Sequence, residues 1–129
     1  MALFGIGNDN RNHADKALDA ARSIQRTMGD LNAQRVARGE DAIQIGIGIN
    51  TGPAIVGSIG SPERMEFTVI GNTVNVASRI EALNKTLMTS LLLSKDTRDA
   101  LQRPVELCEL PAQPVKGVDG LVQVFTLAS

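Results

Sequence analysis

The chain has 129 residues, 43% of them hydrophobic and 21% charged, which suits one small domain around one core. Its net charge is -1 and its Lys and Arg residues are dispersed, so nothing in the charge pattern points to nucleic acid or an anionic membrane as partner. No apolar run approaches the ~20 residues of a bilayer span, and no signal-peptide order opens the chain.

A glycine and asparagine turn is expected from Gly5 to Asn10, followed by a long helix. Asn12 can cap that helix with Asp15 in its first turn, Leu18, Ala21, Ile24, Met28 and Leu31 trace its apolar stripe, and Gly39 ends it. The opposite face carries Arg22, Arg26 and Arg35, either solvated or set against another domain. From Gln44 to Asn50, isoleucine alternates with glycine or a polar residue, which predicts a strand with Ile45, Ile47 and Ile49 facing a helix. Gly46 and Gly48 leave its other face bare. Either a protomer interface or a nucleotide comes close there, or the strand is tightly twisted. After Pro53, a strand from Ala54 to Ile59 is expected to return against the first as a hairpin.

Phe67 to Ile70 is short, β-branched and aromatic, and Gly71 breaks it. Asn72 or Thr73 can cap the helix that follows, whose Val74, Ala77, Ile80 and Leu83 fall at intervals of three on one stripe. Asn75 and Arg79 then stand on one face within the first two turns. There an amide and a planar five-donor guanidinium lie close to a helix N-terminus, which favours anions through its unpaired N–H groups and macrodipole. The candidate ligand is a phosphate-bearing molecule; solvated side chains on an exposed helical face are the alternative. Past this helix, Thr89 to Leu93 reads as a strand, Ser94 caps a brief helix through Leu101, and Pro104 stops it. Val105 to Leu110 and Leu121 to Leu127 read as the last strands. Pro111, Pro114, Gly117 and Gly120 shape the turns between them, with Lys116 at a strand end. Cys108, the single cysteine, cannot form an internal disulfide and lies in an apolar run, so it is expected to be buried and inert in a reducing compartment. The segment is accordingly expected to be cytoplasmic, although a parent protein could be attached to a membrane. The fold class is α+β.

Other site types lack their residues. His13 is the sole histidine and has no cysteine beside it, which argues against zinc or a histidine-based triad. Gly46, Gly48 and Gly52 miss the dinucleotide fingerprint, and no Gly-Lys-Ser/Thr follows them. Ser58 and Ser78 have no base to activate them.

The run from Phe67 to Arg79 resembles the C-terminal signature of the class III adenylyl and guanylyl cyclases: Tyr or Phe, a base-selecting residue, two apolar residues, Gly, two more, Val-Asn, three more, Arg. The glycine-spaced run from Ile45 to Gly60 is similar to the family's strand pair, and Lys116-Gly117 to its late Lys-Gly turn. The resemblance implies a ferredoxin-like α+β fold lacking its N-terminal βα elements, with residues 1–129 forming part of a catalytic domain. It places Thr68 at the purine edge, Val69 and Ile70 beside the base, Asn75 on the ribose, Arg79 on the α-phosphate and Lys116 on the triphosphate tail. Many members carry Asp at the position of Thr68, and guanylyl cyclases tend to carry Cys. A threonine hydroxyl both donates and accepts, so adenine is favoured and guanine is the alternative.

What the resemblance implies about chemistry is conversion of ATP to cyclic AMP and pyrophosphate with two divalent ions, Mg or Mn, held by two aspartates. Met1 to Gly5 is similar to the second strand of the family's central hairpin, so both aspartates would precede Met1 and no metal ligand is expected in this chain. Asp9, Asp15 and Asp19 do not replace them. Sites in this family lie between two protomers, so a homodimer is implied. The alternative is a non-catalytic, cyclase-like module that binds a nucleotide or a partner.

Overall fold

The computed structural model describes residues 1–6 and 11–128, apart from the side chains at 59, 61 and 64–68. Most of the expected Gly5 to Asn10 turn, including Asp9, and the side chains of Phe67 and Thr68 therefore lie outside the described residues. The elements are α1 (His13–Ala37), β1 (Ile47–Ile49), β2 (Ile55–Ser61), β3 (Arg64–Ile70), α2 (Asn72–Leu87), β4 (Leu91–Ser94), α3 (Lys95–Ala100), β5 (Leu107–Pro114) and β6 (Leu121–Leu127). A four-stranded sheet runs β1-β4-β6-β5, and β2 and β3 form a separate ribbon. In the larger sheet β1 and β4 are parallel, and the other pairs are antiparallel.

Strand alternation divides the core in two, because successive side chains leave a strand on opposite faces. Leu91 and Leu93 of β4 and Phe125 of β6 pack with Leu18 and Ala21 of α1. Leu92 and Val124 point the other way, onto Val76 and Ile80 of α2 and onto Val115. The α2 stripe is thus Val76, Ile80, Leu83 and Leu87, rotated from the expected Val74, Ala77, Ile80 and Leu83. Val74 instead lines an open cleft. On α1 the expected stripe is buried at Leu18 and Ala21, but Ile24 and Leu31 are 46% and 37% exposed. The helix runs 25 residues and outreaches the short strands beneath it.

The glycines of β1 have a definite cause. Ile47 and Ile49 face the α1 side, while a Cβ on Gly48 would lie 2.4 Å from the Glu81 amide nitrogen and 2.7 Å from the Ala77 carbonyl oxygen. On Gly46 it would meet the side chains of Glu81 and Asn84. The close neighbour that these glycines admit is α2 of the same chain. Asn84, 5% exposed, reinforces the contact by donating to the Ile47 carbonyl at 3.1 Å.

Three further expectations change. The strand after Pro53 does not return against β1: β2 pairs with β3, from Ile55 opposite Ile70 to Ser61 opposite Arg64. A two-residue turn at Pro62 and Glu63 closes that hairpin, and the two strands it joins are of equal length. β5 continues through Pro111 to Pro114 with a register shift between Leu110 and Gln113. It is an edge strand, where a missing N–H on the outer side breaks no ladder bond. Cys108 is exposed rather than buried: β5 is an edge strand, and its partly buried leucines divide between the two sides of the sheet, Leu107 toward α1 and Leu110 toward α2.

The caps divide. Ser94 accepts from the Thr97 amide as expected. Asn12 stands at the start of α1 but makes no side-chain cap bond. Asp15, in the first turn and 4% exposed, accepts from the backbone amides of Gln102 and Arg103 at 3.0–3.3 Å, and so fastens α1 to the end of α3. Within the expected basic face, Arg35 pairs with Glu40 at 3.0 Å and donates to the Asp41 carbonyl.

Two stability experiments follow from these contacts. Gly48→Ala is expected to cost about 3 kcal/mol by forcing the helix and strand backbones apart, whereas Gly29→Ala, with open space around it, gains up to about 1 kcal/mol from helix propensity; urea denaturation of both variants measures the difference. Asp15→Ala is expected to cost about 2 kcal/mol by orphaning two amides, while Asp19→Ala, which loses only an exposed pair with Arg103, changes the denaturation midpoint little.

Candidate active site

The start of α2 is where the candidate residues gather. Gly71 adopts φ +150, a conformation that side chains disfavour and that lets β3 turn directly into the helix. Its carbonyl accepts from the Val74 and Asn75 amides at 3.2 and 3.4 Å. Asn72 and Thr73 do not cap the helix as expected. Asn72 Nδ2 donates to the Gly117 carbonyl at 3.0 Å, and Thr73 Oγ1 to the Pro53 carbonyl at 2.6 Å. Asn50 Nδ2 donates back to the Thr73 carbonyl at 3.1 Å. Two polar residues at a helix start are thus drawn away to bind loops 45 and 20 residues distant.

Asn75 is exposed and, with Ser78, lines a wide cleft bounded by Gly46 to Asn50 and by Met1 to Ile6. Arg79, half-buried, turns to the other flank and donates through Nη1 to the Lys116 carbonyl. The Lys116 side chain is exposed. The structure therefore joins Arg79 to Lys116 through the Lys116 backbone and sets Asn75 one helical turn nearer the N-terminus. Val69 is buried at 8% exposure, Ile70 is 48% exposed, and the Thr68 side chain lies outside the described residues. No acidic residue occupies the first turn of α2, so the positive end of its dipole is not offset there, and Arg79 and the Lys116 turn add to it.

Among the described residues no three His, Cys, Asp or Glu side chains converge to hold a metal ion. Among the described residues these donors do not make a site for two divalent cations.

Gly117 is the turn residue the sequence suggests, but the pattern did not disclose its close approach to α2. Its φ is +90, and an added Cβ would stand 2.7 Å from Arg79 Nη1 and 3.0 Å from Asn72 Oδ1. Nor did it disclose Thr97, fully buried, whose hydroxyl lies 2.9 Å from Thr51 Oγ1 and donates to the Ile49 carbonyl, steadying the loop after β1. Both are long-range contacts with no local signature beyond the residue type.

The family model for the adenylate and guanylate cyclase catalytic domain matches residues 1–129, and the chain belongs to that family. It is 42% identical to "Adenylate cyclase 1" of Rhizobium meliloti over 73% of this chain and 14% of that protein. It is 35% identical to "Adenylate cyclase" of Anabaena cylindrica over 97% of this chain and 25% of that one. The chain thus spans a quarter or less of the length of these relatives. Among solved structures, the adenylyl cyclase CyaB from P. aeruginosa superposes with a TM-score of 0.81 at 28% identity, covering 95% of this chain and 62% of that one. The guanylyl cyclase Cya2 superposes at 0.78 and 30% identity, covering 97% and 62%. The α+β fold is that of class III cyclase catalytic domains.

Gly117→Ala is expected to cost about 2 kcal/mol through its left-handed backbone and to displace the guanidinium of Arg79. Denaturation measures the first effect, and the NMR shift of the Arg79 Nε–H the second; an unmoved Arg79 signal would contradict the contact.

Proposed function

We propose that residues 1–129 are the part of an adenylate cyclase catalytic domain that holds the nucleotide and stabilises the transition state. The observation that carries this reading is the joining of Arg79 to the Lys116 turn beside the uncompensated N-terminus of α2. In the reaction, the ribose 3′-oxygen attacks the α-phosphorus and the bond to the β-phosphate oxygen breaks, releasing pyrophosphate. Negative charge grows on the α-phosphate oxygens during that step. A guanidinium held in place before the reaction begins stabilises this charge without reorganising, so its help is greater in the transition state than in the ground state. The Asn75 amide, one turn away, orients the ribose, and the Lys116 ammonium neutralises the triphosphate tail. Val69 and Ile70 flank the base, and the Thr68 hydroxyl reads its edge, favouring adenine. Mg or Mn held by carboxylates elsewhere in a complete domain would supply Lewis-acid chemistry.

A second protomer completes the site in this reading. The ribbon of β2 and β3 supports it: Ile55 and Ile70 are cross-strand partners, 73% and 48% exposed, immediately beside the start of α2. An apolar pair left uncovered next to the nucleotide residues suits burial against another chain.

The decisive experiment mixes this chain with a cyclase domain whose metal aspartates are intact but whose own Asn and Arg are disabled. The expected outcome is cyclic AMP from ATP in the mixture and none from this chain alone. Arg79→Ala is expected to lower kcat about 100-fold or more, and Thr68→Cys to shift use from ATP toward GTP. Silence from a mixture shown to associate would favour a non-catalytic, nucleotide-binding module, and steady turnover by the isolated chain would contradict the division of the site.

A further inference from the structure

Val115 to Val118 form a tight turn with the hydrogen bond and the positive φ of type II geometry: the Val118 amide donates to the Val115 carbonyl at 3.1 Å, and Gly117, third in the turn, has φ +90. Val115, 6% exposed, is buried in the α2 side of the core, and Val118 packs against the same cluster. Both carbonyls between these anchors are taken by side chains of α2. Arg79 binds the oxygen of Lys116, and Asn72 that of Gly117. With one end of the turn buried, the other partly buried and its two central carbonyls held, the freedom left at Lys116 is chiefly that of its own four-carbon stem.

We propose that Asn72 is a positioning residue for Lys116, acting through the Gly117 carbonyl to aim the ammonium at the phosphates of the nucleotide; this rests on the cyclase reading above. The geometry separates this role from helix capping, the ordinary use of asparagine at a helix start. A capping amide would turn its oxygen onto the amides of the first helical turn. Asn72 makes no such bond and spends its Nδ2 donor on the turn 45 residues away. A lysine carried on a fixed backbone loses less conformational freedom on binding than one on a mobile loop, which favours affinity for the phosphate tail.

Asn72→Ser tests the role, because serine is equally at home at a helix start yet too short to reach Gly117. In the complementation mixture, its KM for ATP is expected to rise about fivefold, the equivalent of one neutral hydrogen bond, with kcat changed far less. Asn72→Gln, which keeps the amide, is expected to recover part of the loss. In the chain alone, the backbone amides of Lys116 and Gly117 are expected to show lower heteronuclear NOE values in Asn72→Ser. A purely structural role would instead lower the thermal midpoint and the active fraction, and so the apparent kcat, while leaving KM in place. An active mixture in which Asn72→Ser keeps the wild-type KM, or unchanged amide order in the turn, overturns the positioning role alone. A wild-type mixture that associates but makes no cyclic AMP overturns the cyclase reading and the role with it.

Discussion

The backbone of β1 touches the backbone of α2 at Gly48, with no room for a methyl group between them. That contact sets the height of the helix above the sheet and, with the Asn84 amide bonded to the Ile47 carbonyl, its rotation. Every functional side chain on α2 inherits its place from these two constraints. A helix standing one side chain further from the sheet would carry Asn75 away from the cleft wall at Gly46 to Asn50 and would pull Arg79 off the Lys116 carbonyl. The glycines of β1 are in this sense part of the site, because they let α2 stand against the strand.

Around that contact the chain uses backbone carbonyls as fixed points. Pro53, Thr73, Lys116 and Gly117 each offer a carbonyl to a side chain from a distant segment. The bonds from neutral side chains contribute about 1 kcal/mol each and the one from the Arg79 guanidinium about 2 kcal/mol, and their effect lies more in geometry than in stability. They bring the segments around positions 50, 72 and 117 together at one end of α2. The hydrophobic core supplies the rigid base, since β4 is buried along its whole length and sends alternate leucines to the two helices.

Much of this was legible from local pattern. The cluster from Phe67 to Arg79 announced a strand, a break and a helix, and the structure has β3, Gly71 and α2 in those places. Ser94 carried a cap signal with one local partner, and that partner is there. What pattern did not disclose depends on tertiary contacts. Asn72 and Thr73 have the composition of caps, but loops far away in sequence compete for their donors and win. The apolar stripe of α2 was displaced because Val74 and Ala77 are compatible with burial, yet only the packing of Leu92, Val124 and Val115 decides that the flank of Val76 and Ile80 is the one covered. β5 passed through two prolines because it lies at an edge, a position that no local window contains.

The same edge position gives Cys108 a separate significance. The sheet order places β5 at the opposite margin from β1, so the chain's sole thiol stands on the outer strand, in the open and away from the α2 start. Oxidation there would link two copies through their Cys108 thiols. In a reducing medium the same thiol is a single chemical handle. A spin label or fluorophore attached to it would report the separation of two chains in an assembled pair while leaving Asn75, Arg79 and the Lys116 turn untouched.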